Sequence, residues 1–209
     1  MLYKNISVYK NASVYKNASV YKHATVYKDD TIALEYIDKI LFGKTYRFLK
    51  TGSIYLMCGV LDYDGVNYRT HNGMKYYPYA DAVVLKNSLP SGFRLPTSAD
   101  VSIINAGLIV YRNALFVGYN NGQCLRNNLY WSDGGGLNLF GLDVSATGYW
   151  HETDGFLGDT TVFGCWNNDI NGVMEASGNS LFYSWNFDND AYWRAGQRAG
   201  LTFKLVYYE

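Results

Sequence analysis

Apolar and polar positions at the start of the chain recur every six residues. Tyr3, Tyr9, Tyr15, Tyr21 and Tyr27 mark the period, and each is followed by a lysine: Lys4, Lys10, Lys16, Lys22 and Lys28. On a helix, a step of six turns the chain by about 240° and scatters Val8, Val14 and Val20 around three sides, so no apolar face forms. In an extended chain the period of two divides six, and each repeat shows the same residues to the same side. Ala12, Val14 and Lys16 then share one face, and Asn11, Ser13 and Tyr15 the other. The spacing predicts a β-type array over residues 1–29. Val8 with Ala12, Val14 with Ala18, and Val20 with Ala24 resemble the aliphatic and small pairs of triangular β-helices. So few repeats cannot bury a face alone, so three chains wound as a trimeric shaft are expected. An extended, unpaired tether is the competing reading.

The pattern changes at residue 30. Asp30 and Thr31 can cap a helix on which Ala33, Tyr36, Ile37, Ile40 and Leu41 follow the i, i+3, i+4 rule, with Gly43 as its terminator. A helical neck is therefore predicted over 30–43, against a strand through Ile32, Leu34 and Tyr36. Residues 44–209 form the predicted head. Strands are expected at 45–49 and 54–61, a turn at 62–65, and a short helix over 80–86. A second helix is expected from Thr97, with Asp100 completing a capping box, Val101 and Ile104 on one face, and Gly107 as its end. Further strands are expected at 116–119, 129–132, 140–142, 161–166, 181–185 and 201–208. Two early helices followed by many short strands make an α+β domain.

Composition narrows the function. The 209 residues carry 18 Lys+Arg and 18 Asp+Glu, a formal net charge of zero. Without a basic field, neither nucleic acid nor an anionic membrane is the expected partner. Aromatic residues reach 17%, with 21 Tyr, 5 Trp and 10 Phe, which suits a sheet-rich ordered domain. Cys58, Cys124 and Cys165 stand far apart without paired histidines, so free thiols are expected rather than a zinc site. No apolar run reaches membrane-helix length, and no membrane insertion is expected. The opening MLYKNISVYK lacks the basic-then-apolar order of a secretory signal, which points to assembly in a cytoplasm.

Several stretches of the head carry a family resemblance. The run Leu89-Pro90-Ser91-Gly92-Phe93-Arg94-Leu95-Pro96-Thr97 resembles the P-x-G-[WFY]-x-L-P-T signature of the Fibrobacter succinogenes major paralogous domain. Gly43-Lys44-Thr45-Tyr46 resembles its G-K-x-W opening, and Asn72-Gly73-Met74-Lys75-Tyr76-Tyr77 its N-G-x-x-Y strand. Asp81-Ala82 resembles its helix. Residues 138–148, Gly164-Cys165-Trp166 and residues 200–206 resemble later elements in the same order. The likeness spans residues 43–209 and leaves the hexads outside. It implies a C-type-lectin-like head, similar also to the sulfatase-modifying-factor fold. Two short helices would flank a twisted antiparallel sheet with long irregular loops, and no reaction is implied.

Candidate sites follow. Trp166-Asn167-Asn168-Asp169 resembles the Trp-Asn-Asp motif of calcium-dependent lectins, with one Asn too many and no companion Glu-Pro-Asn loop. Asn167, Asn168 and Asp169 are thus weak metal candidates, and no metal or other cofactor is expected. Asp62-Tyr63-Asp64-Gly65 lacks the bidentate Glu of a calcium loop and reads as a hairpin turn. Sugars are held by aromatic rings beside polar groups, and two segments offer that mixture: Tyr149 and Trp150 with His151 and Glu152, and Asn186, Asp188, Asp190 and Tyr192. No nucleophile elbow, metalloprotease helix, P-loop or dinucleotide fingerprint occurs, and no enzyme is expected. The expectation is a virion-attached phage fibre or adhesin. It would be a homotrimer anchored to a capsid or tail protein through its repeats, with a head displayed towards host-surface glycans. A bacterial surface carbohydrate-binding module is the alternative, and a fold-related enzyme a weaker one.

Overall fold

The computed structural model describes residues 32–119, 121–132, 136–158, 161–168, 172–177, 183–186 and 199–209. The chain divides into two units, Met1–Ile32 and Ala33–Glu209, and the account below concerns the second. The hexad array lies outside the described residues.

The first sheet joins β1 (Tyr36–Leu41), β2 (Lys44–Thr51), β3 (Ile54–Met57), β6 (Phe93–Arg94) and β13 (Val206–Tyr207), in the order β1-β2-β3-β13-β6. Every pairing is antiparallel. Both faces of this sheet are covered, which is why β3 reads as an unbroken apolar run. Leu49, Ile54, Leu56 and Val206 pack on one side with Val101, Ile104 and Leu108 of α2 (Ser98–Leu115). Leu41, Phe48, Tyr55 and Met57 pack on the other with Ala82 and Leu85 of α1 (Tyr79–Asn87).

The predicted neck helix is instead β1. Phe42 (φ 51°) and Gly43 (φ 80°) make a two-residue left-handed turn, and Leu41 pairs with Lys44. The apolar positions of 36–41 satisfy a strand as well as a helix, and a strand partner two residues away decides between them. Gly43 is the hairpin's turn, not a helix cap.

The second helix begins as predicted. Thr97 Oγ1 accepts from the Asp100 amide at 3.2 Å, and Asp100 Oδ2 accepts from the Thr97 amide at 2.8 Å. It does not stop at Gly107 but runs on to Leu115. A Cβ at Gly107 would lie 3.0 Å from the backbone of Thr51 and Gly52, so this glycine lets the helix rest on the β2–β3 turn.

The second sheet joins β4 (Arg69–His71), β5 (Met74–Pro78), β7 (Tyr149–His151), β8 (Gly155–Leu157) and β12 (Ala199–Leu201), in the order β4-β5-β12-β7-β8. The third contains β9 (Val162–Trp166), β10 (Gly172–Ser177) and β11 (Tyr183–Asn186), with β10 central. A short α3 (Asn121–Leu125) follows α2. The fold is thus α+β, mostly antiparallel sheet with few helices. The strands expected at 116–119, 129–132 and 140–142 are turns and irregular chain. Left-handed Tyr130, Asn138, Gly141 and Asp143 break any run there. Side chains hold this region instead: Trp131 Nε1 donates to the Val144 carbonyl at 3.1 Å, and Asn127 Nδ2 to Ser145 Oγ at 2.7 Å.

Lys204 is wholly buried. Its Nζ donates to the carbonyls of Gly59 at 2.8 Å and Leu142 at 2.9 Å. Burial pulls this ammonium down to about 8.

Two measurements test this packing. In an open helix Gly→Ala stabilises by about 1 kcal/mol. Gly107→Ala should instead lower the melting temperature by about 2–4 °C or more, because the methyl meets immobile backbone; a rise would refute the close contact. Between pH 8 and about 10 the unfolded chain keeps a Lys204 proton that the fold releases, so raising the pH favours the fold. Denaturant titrations should show wild type gaining up to about 3 kcal/mol over Lys204→Met across that window. A difference that stays flat would mean the lysine is not desolvated.

Candidate functional site

Strand alternation divides the β4-β5-β12-β7-β8 sheet into two chemically different faces. Tyr77, Leu201, Tyr149 and Leu157 face the cluster that includes α1. Arg69, His71, Tyr76, Trp150 and Phe156 occupy the other side, and none of them belongs to either apolar cluster. In a flat sheet β4 and β8 would stand four strand spacings, about 19 Å, apart. Yet the His71 and Phe156 rings stack at 4.0 Å with 14° between their planes, and Tyr76 meets Phe156 edge-on at 4.9 Å. The sheet therefore curls, and this face is concave and lined with rings. Tyr76, at its floor, is fully buried and donates its hydroxyl to the Thr147 carbonyl at 2.6 Å.

Trp150 sits at the rim. Its strand register puts it between Gly200 and Phe156. A Cβ on Gly200 would lie 3.0 Å from Trp150 Cε3, so the indole lies against bare backbone. The exposed Arg69 guanidinium lies 4.2 Å from the indole centroid. The indole is thereby held between strand backbone and a cation.

The predicted binding residues separate accordingly. Trp150 lies on the concave face. Tyr149, its neighbour, turns into the core, where a Cβ on Gly164 would lie 3.0 Å from its ring; adjacent strand residues point opposite ways. Asn186 ends β11 in the three-stranded sheet, opposite Gly172, and does not share the sheet that carries Trp150. Asp188, Asp190 and Tyr192 lie outside the described residues. Arg69, His71 and Phe156 were not singled out by sequence. The alternation R-x-H immediately before the Asn72-Gly73 hairpin was the available signal.

The weak metal candidates are parts of the scaffold. Trp166 is fully buried and donates Nε1–H to the Tyr77 carbonyl at 2.9 Å, and Asn167 is buried after it. The Asn168 amide donates to the Pro96 carbonyl at 2.9 Å, and its carbonyl accepts from Lys86 Nζ. Asp169 lies outside the described residues.

Residues 62–65 are irregular chain rather than the expected hairpin turn, and their carboxylates already hold cations. Lys44 Nζ lies 2.6 Å from Asp62 Oδ2, and Lys75 Nζ bridges Asp62 and Asp64. Hydrogen bonds from Lys75 and Tyr68 push the Asp64 carboxyl down to about 2. Among the described residues no group of three His, Cys, Asp or Glu is placed to hold a metal ion. The three cysteines are free, and burial raises the Cys58 and Cys124 thiols, which weakens them as nucleophiles.

Comparison of the chain with protein-family models, with curated proteins and with solved structures gives no match in any of the three.

Because Lys44 and Lys75 satisfy Asp62 and Asp64, a chelator should leave the melting temperature of the full chain unchanged. A fall of many degrees, restored by calcium but not by magnesium, would show that a bound cation was missed.

Proposed function

We propose that this chain is a virion-attached phage fibre or adhesin protein. Its hexad repeats join three copies and anchor them to a capsid or tail protein, and its head is displayed outward to bind host-surface glycans. The reading is one of recognition rather than catalysis. The observation that carries it is the concave ring-lined face with Trp150 at its rim. Rings and a guanidinium side by side offer a sugar both apolar C–H contact and hydrogen-bond donors. The ordered resemblance of residues 43–209 to the Fibrobacter succinogenes major paralogous domain, with its C-type-lectin-like fold, supports the same reading. The hexads support the fibre, since an extended apolar stripe finds its cover in other copies.

Single-site affinity is expected in the micromolar to millimolar range, about −4 to −8 kcal/mol, as a shallow site allows. Three heads per fibre raise the apparent affinity by roughly 10² to 10⁴.

Light scattering on the full chain should give three times the 23.6 kDa chain mass. A chain starting at Asp30 should be monomeric and bind cells at least about tenfold more weakly. A monomeric full chain would refute the shaft. Trp150→Ala should reduce binding of the full chain to host cells while keeping the trimer. Undiminished binding by that variant would remove the concave face from the recognition surface.

A further inference from the structure

The concave face holds a cation whose donors are unused among the described residues. The Arg69 guanidinium carbon lies over the Trp150 indole, 4.2 Å from its centroid, and among the described residues the guanidinium makes no hydrogen bond and no ion pair. Three carboxylates in the chain around Arg69 are already engaged. Asp62 and Asp64 hold Lys44 and Lys75, and Asp81 Oδ1 accepts from the Asn67 amide at 3.0 Å and from Asn67 Nδ2 at 3.1 Å. The indole N–H of Trp150 likewise has no acceptor among the described residues. A surface arginine normally sweeps many rotamers, but stacking on an indole that itself rests on Gly200 limits this one. The Arg69–Trp150 pair therefore presents donors only: a guanidinium fork and an indole N–H beside it.

Such a donor set selects among sugars. A neutral hydroxyl accepts one hydrogen bond and donates another, and the donation finds no acceptor on this pair. A carboxylate is acceptor-only and matches the fork with two parallel N–H···O bonds. Stacking also changes what the indole can do. Arg69 lies over the ring, so a sugar approaching on that side meets the guanidinium first.

We propose that the concave face recognises an acidic saccharide, with Arg69 taking the carboxylate of a uronic or sialic acid residue and Trp150 holding Arg69 in place. This rests on the glycan-binding reading above and narrows it to one chemical class. Trp150 is then chiefly a positioning residue, and Arg69 the contact.

The test is an array of neutral, uronate-containing and sialate-containing saccharides, with the methyl esters of the acids, probed by the full chain. Hits are then followed by monovalent titration in solution. Binding confined to the free acids, lost in their methyl esters and weakened about 10- to 100-fold by Arg69→Gln, is the expected result. Arg69→Lys keeps the charge without the fork and should fall between. Arg69 is exposed and among the described residues makes only the ring contact, so the melting temperature should not change in either variant. Equal binding to acids and their esters, or acid binding that survives Arg69→Gln, overturns this inference and leaves glycan recognition standing. No binding to any saccharide overturns both.

Discussion

The segment Ala199 to Tyr208 enters both five-stranded sheets at interior positions, and the rest of the head depends on its arrival. β12 is the middle strand of one sheet, and β13 lies between β3 and β6 in the other. Between them, the Thr202 carbonyl accepts from the Trp166 amide at 3.0 Å, and Thr202 Oγ1 donates to the Gly164 carbonyl at 2.8 Å, which ties in the third sheet. The Leu61 amide donates to Phe203 and the Met57 amide to Leu205. At the centre Lys204 reaches the carbonyls of Gly59 and Leu142, polar groups that the apolar surroundings would otherwise strand. A buried ammonium is an expensive donor, and its cost is offset only because one side chain joins two distant loops at once.

This arrangement also places the candidate site. β12 carries Gly200 into the middle of the curled sheet, where the lack of a side chain leaves room for the Trp150 indole. The strands on either side come from distant parts of the chain: β4 and β5 from the first half, β7 and β8 from the second. The Arg69–Trp150 and His71–Phe156 stacks exist only after both parts have paired on β12. Such non-local pairing folds slowly, because the entropy of closing long loops is lost before the contacts form.

Local chemistry was the legible part of the sequence. The Thr97–Asp100 capping box is complete within four residues, and α2 begins where it says. The apolar run at 54–61 announced a strand, which ends at Met57. What failed depended on pairing partners rather than on the segment's own periodicity. Tyr36, Ile37, Ile40 and Leu41 fit two periods, and pairing with β2 decided for strand. Gly107 has the composition of a helix end, and only the nearby Thr51–Gly52 backbone reveals it as a contact point. Of the candidate site, Trp150 was legible as an aromatic residue among polar ones. Its pairing with Tyr149 was not sound, since a strand turns neighbours to opposite faces. Arg69 and His71 went unseen because the curl that brings them to Trp150 and Phe156 is a property of the whole sheet.

β1 gives the head a mechanical character. It is an edge strand, and its first residue, Tyr36, pairs with Leu49 at the open end of the hairpin, while Leu41 and Lys44 close it. A load entering through the chain before Tyr36 therefore meets the β1–β2 bonds one after another, as a zipper does, rather than all together in shear. The clasp at that end is small: the Lys50 amide on the Glu35 carbonyl at 2.8 Å, Lys50 Nζ on the Glu35 carboxylate at 2.9 Å, and the Tyr36 hydroxyl on the Phe140 carbonyl at 2.9 Å. Under tension the hairpin would yield before the interior strands that build the concave face. Its six-residue edge would let out slack while the curled sheet kept its shape.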